Sequence, residues 1–353
     1  MTGGCEIVAI GARTSVGHTA ASSAAAIRAG ISRCSEYPFV TPDGTPLVAA
    51  ADSRIDPMLE GRARLGPLLT TALAEVAQTL ARGTPHHGPR HLLLALPEPR
   101  PGFSKRDAAG LVDIASTCLR QWDSAADIHI AGFGHAGALA ALERAEQVIA
   151  DDPNALCWIA GVDSYLHADT LLWLESERRC AQAGVRSGFI PGEGAGCLAL
   201  VSAELRHRLR LPSLATVHGV KTAQELRLRG SEAGSFGVGM TRAVEGAAAS
   251  LRLPDEGVDA VYTDINGERY RSEEWGFVAM RTSSVWRTLQ YEAPADRWGD
   301  VGAAFGPLAA ILAVQSFQRN YARGPHAMVT AGSDGGLRGA LLLQRPSTPR
   351  TAA

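Results

Sequence analysis

Residues 125–142, AADIHIAGFGHAGALAAL, decide how the rest of the chain is read. Ile128–Ile130 is a short apolar run that predicts a strand. Gly132 and Gly134 then break the chain, and an alanine-rich helix follows from about Gly137 to Ile149. A tight turn between a strand and a helix holds one side chain above the end of a sheet. The helix start adds unpaired N–H groups and the positive end of a dipole. Many nucleophiles sit in such an elbow. Here the turn holds Gly134 and His135, with no Ser, Cys or Thr.

Upstream, Ile7–Ile10 predicts a strand and Ala20–Ala29 a helix, while residues 31–62 read as irregular. Leu69, Leu73 and Val76 share a face of a helix over Leu65–Leu80. His91–Leu96 predicts a strand and Arg106–Gln121 a helix. Downstream, Leu156–Ala160 predicts a strand beside the elbow if neighbouring units pair in order. SGFIPGEGAGCLALV is a glycine-rich turn entering a strand, Cys197–Val201. With no helix after it and no lysine in it, it reads as a strained turn and not as a phosphate cradle.

Residues 203–212 read as a charged link, after which the rhythm repeats. Strands are expected at Ala215–Val220, Val258–Thr263, Ala327–Thr330 and Gly339–Leu343. Helices are expected at Gly239–Leu251, Tyr270–Ala279 and Ala303–Phe317, and the tail from Arg345 reads as frayed. Alternating strands and helices predict an α/β chain with mostly parallel strands and an internal duplication.

Composition sets outer limits. The chain has 353 residues, 46% of them apolar and 20% charged, with a formal net charge of −2. That balance gives no reason to expect nucleic acid or an anionic membrane as a partner. Of the 34 basic residues only Lys105 and Lys221 are lysines, which suggests a GC-rich bacterial source. No stretch reaches the roughly 18 apolar residues of a membrane span, and MTGGCEIVAIGA lacks the features of a signal peptide, so a cytoplasmic protein is expected. The six cysteines show no metal spacing and are expected to be reduced, with Cys157 a buried packing thiol. His86–His87 is a poor metal site, because adjacent loop histidines point apart and no third ligand is near. No metal or cofactor is expected.

Seven segments, in order, resemble the β-ketoacyl synthase branch of the thiolase-fold condensing enzymes. IVAIGARTSVGHTAASSAAAIRAGIS resembles the opening strand, loop and helix of that family. FGHAGALAALERAEQVI resembles its nucleophile turn and LCWIAGVDSY the strand that follows. SGFIPGEGAGCLALV is close to its glycine–glutamate–glycine loop. VDAVYTDINGERYRSEEW and WGDVGAAFGPLAAILA resemble the stretches carrying its two catalytic histidines, and AGSDGGLRGALLL its C-terminal glycine turn. The resemblance implies a thiolase-like five-layer αβαβα fold of two duplicated mixed-sheet halves, divided at about 1–205 and 206–353. It also implies a homo- or heterodimer, which the retained strand LCWIAGV is expected to support.

In that family a cysteine at the elbow attacks an acyl thioester, and two histidines assist decarboxylation and stabilise an oxyanion. By resemblance the three positions fall on Gly134, Asn266 and Asp300, and the family's lysine before the second histidine has no counterpart in EAPADRWGD. Glycine offers no nucleophile, asparagine shuttles no proton near neutrality, and an aspartate opposes a developing negative charge. The expectation is a catalytically inactive ketosynthase-like protein. It would act as a partner subunit of a catalytic ketosynthase that works with an acyl carrier protein, or as an adaptor for a secreted effector in a type VI secretion module. The alternative is an active acyltransferase with an improvised site at His135, Asp163 and Ser164. A ligand-binding protein that uses the old acyl pocket is a third reading. Gly134→Cys is expected to restore a thiol at the elbow, with strain if Gly134 has positive φ.

Overall fold

The computed structural model describes residues 4–41, 44–182, 184–231, 234 and 236–346, so most of the tail lies outside the described residues. The first half of the chain runs β1 (Cys5–Thr14), α1 (Ala20–Arg28), β2 (Cys34–Val40), β3 (Pro46–Ala50), α2 (Gly61–Leu80), β4 (Arg90–Leu96), α3 (Lys105–Gln121), β5 (Asp127–Phe133), α4 (Gly137–Asp151), β6 (Leu156–Ser164), α5 (Ala168–Ser176) and β7 (Glu193–Ser202). After α6 (Ala203–Leu209) come β8 (Ala215–Gln224), α7 (Val238–Ala247), β9 (Ala260–Thr263), α8 (Arg269–Arg281), β10 (Tyr291–Glu292), α9 (Ala295–Trp298), α10 (Phe305–Gln318), β11 (His326–Gly332) and β12 (Leu337–Gln344).

Ten strands share one sheet in the order β10-β9-β11-β12-β8-β1-β7-β6-β4-β5. Its two five-strand halves meet in a short antiparallel pairing, Glu6 with Thr216 and Ile7 with Ala215. Each half repeats the same plan. In the first, β4 lies parallel between β5 and β6, and β7 runs antiparallel to β6 and β1. In the second, β9 lies parallel between β10 and β11, and β12 runs antiparallel to β11 and β8. That shared order and direction is the duplication.

Burial divides the helices into three layers around the two half-sheets. The central cluster joins α1, α4 and α10 to both halves, through residues such as Leu139, Leu142, Leu308, Ile159 and Leu341. A second cluster packs α2 and α3 on the outer face of the first half, and a third packs α7 and α8 on the outer face of the second. Every residue of α10 from Phe305 to Phe317 is buried, as a helix apolar on all sides requires. The fold is the five-layer αβαβα arrangement.

Several local expectations change. Five of the nine pairings in the large sheet are antiparallel, so the strands are mixed and not mostly parallel. Strand and helix rhythm does not fix strand direction. β6 is not beside β5, because β4 lies between them. Cys34–Val40 and Pro46–Ala50 are not irregular: β2 and β3 form a separate two-stranded ribbon. The charged link contains a short helix, α6, whose N-cap Ser202 accepts from the Leu205 N–H while Leu205 and Leu209 are buried.

Candidate functional site

The elbow forms as the sequence suggests, and it is full. Gly134 has φ +70°, its N–H donates to the Leu96 carbonyl at 2.9 Å, and its carbonyl accepts from Gly137 at 2.9 Å. A Cβ at this position would lie 2.6 Å from a carboxylate oxygen of Glu98 and 2.7 Å from Ser333 Oγ. Glu98 is fixed there, because its two oxygens accept from the N–H groups of Asp334 (2.9 Å) and Gly335 (2.7 Å). Ser333 Oγ donates to the Phe133 carbonyl at 2.9 Å and accepts from the Ala136 N–H at 3.0 Å. One backbone donor at the start of α4 is therefore already used. The Gly134→Cys expectation changes accordingly: the space for the new side chain is occupied, so strain and a clash act together.

Next to the elbow, the segments carrying His135, Asn266 and Asp300 converge. His135 Nε2 lies 2.7 Å from Asp300 Oδ1, and Asn266 Nδ2 donates to Asp300 Oδ2 at 2.5 Å. The Gly302 N–H donates to Asp300 at 2.8 Å. On the other side of the imidazole, an Arg271 nitrogen is 3.4 Å from Nδ1. Arg271 also pairs with Asp264, and Arg179 forms a two-pronged pair with Glu268 (2.8 and 2.9 Å) and reaches Asp334 at 2.6 Å.

Electrostatics follow from this packing. Burial alone would lower the His135 pKa, but the adjacent Asp300 carboxylate outweighs it and the guanidinium of Arg271, so the net shift is upward. Burial would raise the Asp300 pKa, yet His135, Arg271 and the Gly302 N–H hold it well below the usual carboxylate range. Asp334 is likewise held low against burial by Arg179 and Arg271. The Glu98 carboxylate, 2.6 Å from where a Cβ at position 134 would sit, opposes a developing negative charge there, while Asp300 and Asp334 are taken up by His135, Arg271 and Arg179.

Among the described residues no hydrogen bond links His135 to Asp163 or Ser164; each is held elsewhere. Asp163 pairs with Arg100 at 2.5 Å and accepts from the Ala303 N–H at 2.9 Å. Ser164 Oγ donates to Glu193 at 2.9 Å, and Glu193 takes a two-pronged contact from Arg64 (2.6 and 2.8 Å). Glu193 is the glutamate of PGEGAG, so that turn carries a buried ion pair. Cys157 is fully buried, and burial pushes its thiol up to about 12, which leaves no thiolate near neutrality. The ring of His86 rests 3.4 Å from the Pro89 carbonyl.

Sequence reading missed Glu98, Arg179, Arg271 and Ser333. Glu98 gave no signal of its own, since its place at the elbow depends on β4 pairing with β5, which the order of elements does not fix. The arginines gave none, because the chain is arginine-rich throughout.

No protein-family model and no curated protein sequence matches the chain. Solved structures do. The architecture is that of the ketosynthases, the thiolase-type fold. The ishigamide ketosynthase/chain length factor superposes with a TM-score of 0.72 at 17% identity, over 98% of this chain and 100% of that one. A type II polyketide synthase acyl-carrier protein in complex with its ketosynthase bound to the hexaketide gives 0.79 at 14% identity, over 98% and 100%. The ketosynthase from module 6 of the bacillaene synthase of Bacillus subtilis 168 gives 0.77 at 12% identity, over 98% and 72%. No helix among the described residues is long and apolar enough to cross a membrane.

Proposed function

We propose that this chain is a non-catalytic ketosynthase-fold subunit that works by pairing with another protein. The observation that carries the reading is the filled elbow. Gly134 has no side chain, and Glu98 and Ser333 occupy the volume that a nucleophile's Cβ would need. The carboxylates around the elbow and the engaged imidazole of His135 support the same reading.

Support for pairing comes from the sheet edge. β5 ends the ten-stranded sheet, and Ile130 and Phe133 on it are 38% and 40% exposed. A long edge strand with exposed apolar side chains is a template for strand addition. The partner that fits is a second ketosynthase-fold chain adding its own edge. Pairing through LCWIAGV is not possible as a sheet edge, because β6 is buried throughout and flanked by β4 and β7. A structural neighbour described as a ketosynthase/chain length factor supports a catalytic ketosynthase as that second chain.

Intact-mass measurement after incubation with an acyl thioester tests the reading. The unmodified mass is expected. A stoichiometric acyl adduct would overturn it in favour of an acyltransferase. Co-purification from the native host separates the partners: a ketosynthase with its acyl carrier protein fits a partner subunit, and a secreted effector fits an adaptor.

A further inference from the structure

Away from the elbow, a cavity of about 460 Å³ opens between α1, α10 and the β9–β10 edge of the sheet. That volume lies within the range of small-molecule sites. Its apolar lining includes Ala24, Ile27, Ala260 and Leu312. Its charged lining is mostly cationic, with Arg28, Arg297 and Arg323 against the carboxylate of Glu292, beside neutral polar groups such as Tyr262 and Ser316. Of these three arginines, only Arg297 has an acid partner among the described residues, its neighbour Asp296. Arg28 lies 4.1 Å over the Tyr321 ring, and Arg323 donates to Gln290 at 2.7 Å. No carboxylate pairs with either among the described residues. Burial pushes the Tyr262 phenol up to about 12, so it stays a neutral hydrogen-bonding group.

We propose that this cavity binds a small apolar carboxylate, its hydrocarbon body against Ile27, Ala260 and Leu312 and its carboxylate on the arginine rim. Guanidinium forks match planar carboxylates, and two of these have no competing acid. With Arg297 taken up by Asp296, Arg28 and Arg323 against Glu292 leave one net positive charge, which matches a single carboxylate better than a dianion such as phosphate. The pocket is distinct from the elbow but continuous with it in the chain. Asp264 follows Tyr262 by two residues and Asp300 follows Arg297 by three. The proposal does not depend on whether the elbow is active.

Titration calorimetry with octanoate, 3-phenylpropionate, octanamide and inorganic phosphate tests it on the full chain. At least one of the two carboxylates is expected to bind at a single site, with octanamide and phosphate about tenfold weaker or more. Arg323→Gln and Arg28→Gln change exposed side chains, so both should fold, and each should weaken the carboxylate by about tenfold. Leu312→Phe, which fills the apolar end, should weaken it as well. The proposal fails if neither carboxylate binds at millimolar concentration, if octanamide or phosphate binds as tightly, or if neither arginine variant changes the affinity.

Discussion

Gly134 meets two constraints at one atom. Its φ of +70° lies in the left-handed region, and its missing Cβ leaves the room that Glu98 and Ser333 fill. Gly134→Ala should therefore cost about 1–3 kcal/mol through backbone strain, plus the displacement of Glu98. Gly134→Cys should cost more and still take up no acyl group efficiently. Urea denaturation checks the order wild type, Gly134→Ala, Gly134→Cys. The double change Gly134→Cys with Glu98→Ala should lose less than the two single changes added together, because the clash is shared. Wild-type stability in Gly134→Cys would show that Glu98 does not hold the elbow. The lost nucleophile was legible in the sequence, since the turn lacks Ser, Cys and Thr. Its replacement was not. Glu98 reaches the elbow only because β4 pairs with β5, and Ser333 only because the C-terminal turn folds back onto it.

Among the elements, strands buried on both faces were the most legible, because β4, β6 and β7 are near-continuous apolar runs. Their neighbours were not legible, since an apolar run fits a parallel or an antiparallel place equally well. The β2–β3 ribbon was missed because most of its residues are exposed or half-buried and Pro38 interrupts it. α6 was missed because its charged side chains hide a two-residue apolar anchor, Leu205 and Leu209. The edge strand β5 carries the prediction at this scale. Ile130→Lys places a charge at its exposed centre, a device that keeps sheet edges from pairing. Light scattering should show an associated wild type and a monomeric variant that keeps the wild-type circular-dichroism spectrum, since an exposed substitution leaves the fold intact. A wild-type chain that is monomeric at micromolar concentration and captures no ketosynthase partner would remove the edge from the argument.

Across the whole molecule, buried guanidinium–carboxylate pairs tie the layers together. Arg64–Glu193 joins α2 to β7, Arg100–Asp163 fixes the loop after β4 to β6, and Arg338–Glu274 joins β12 to α8. Removing one partner leaves a buried charge uncompensated, so Arg64→Met should destabilise by about 3–5 kcal/mol. The pH dependence of stability follows from different groups, and its sign can be worked out for each. Asp300 and Asp334 have lowered pKa values, so their contribution is complete above the unfolded value of about 3.9 and is lost as pH falls through the folded values. His135 is shifted up, so its contribution is complete below about 6.5 and is lost as pH rises through its folded value. Glu146, raised to about 7 by burial and by the nearby Glu143, acts in the same direction: its contribution is complete below about 4.3 and is lost as pH rises to about 7. Stability should therefore decline towards both acid and alkali, with the alkaline decline beginning below neutrality. Glu146→Gln mimics the protonated carboxyl. It should leave stability unchanged at pH 4 and raise it at pH 8 by about 1–2 kcal/mol, after allowance for partial exposure. Urea denaturation of both proteins across this range decides the matter. Parallel curves for wild type and Glu146→Gln would mean that Glu146 titrates as an ordinary surface carboxylate and that the alkaline limb belongs to the other groups shifted upward, His135, Glu75 and Glu274.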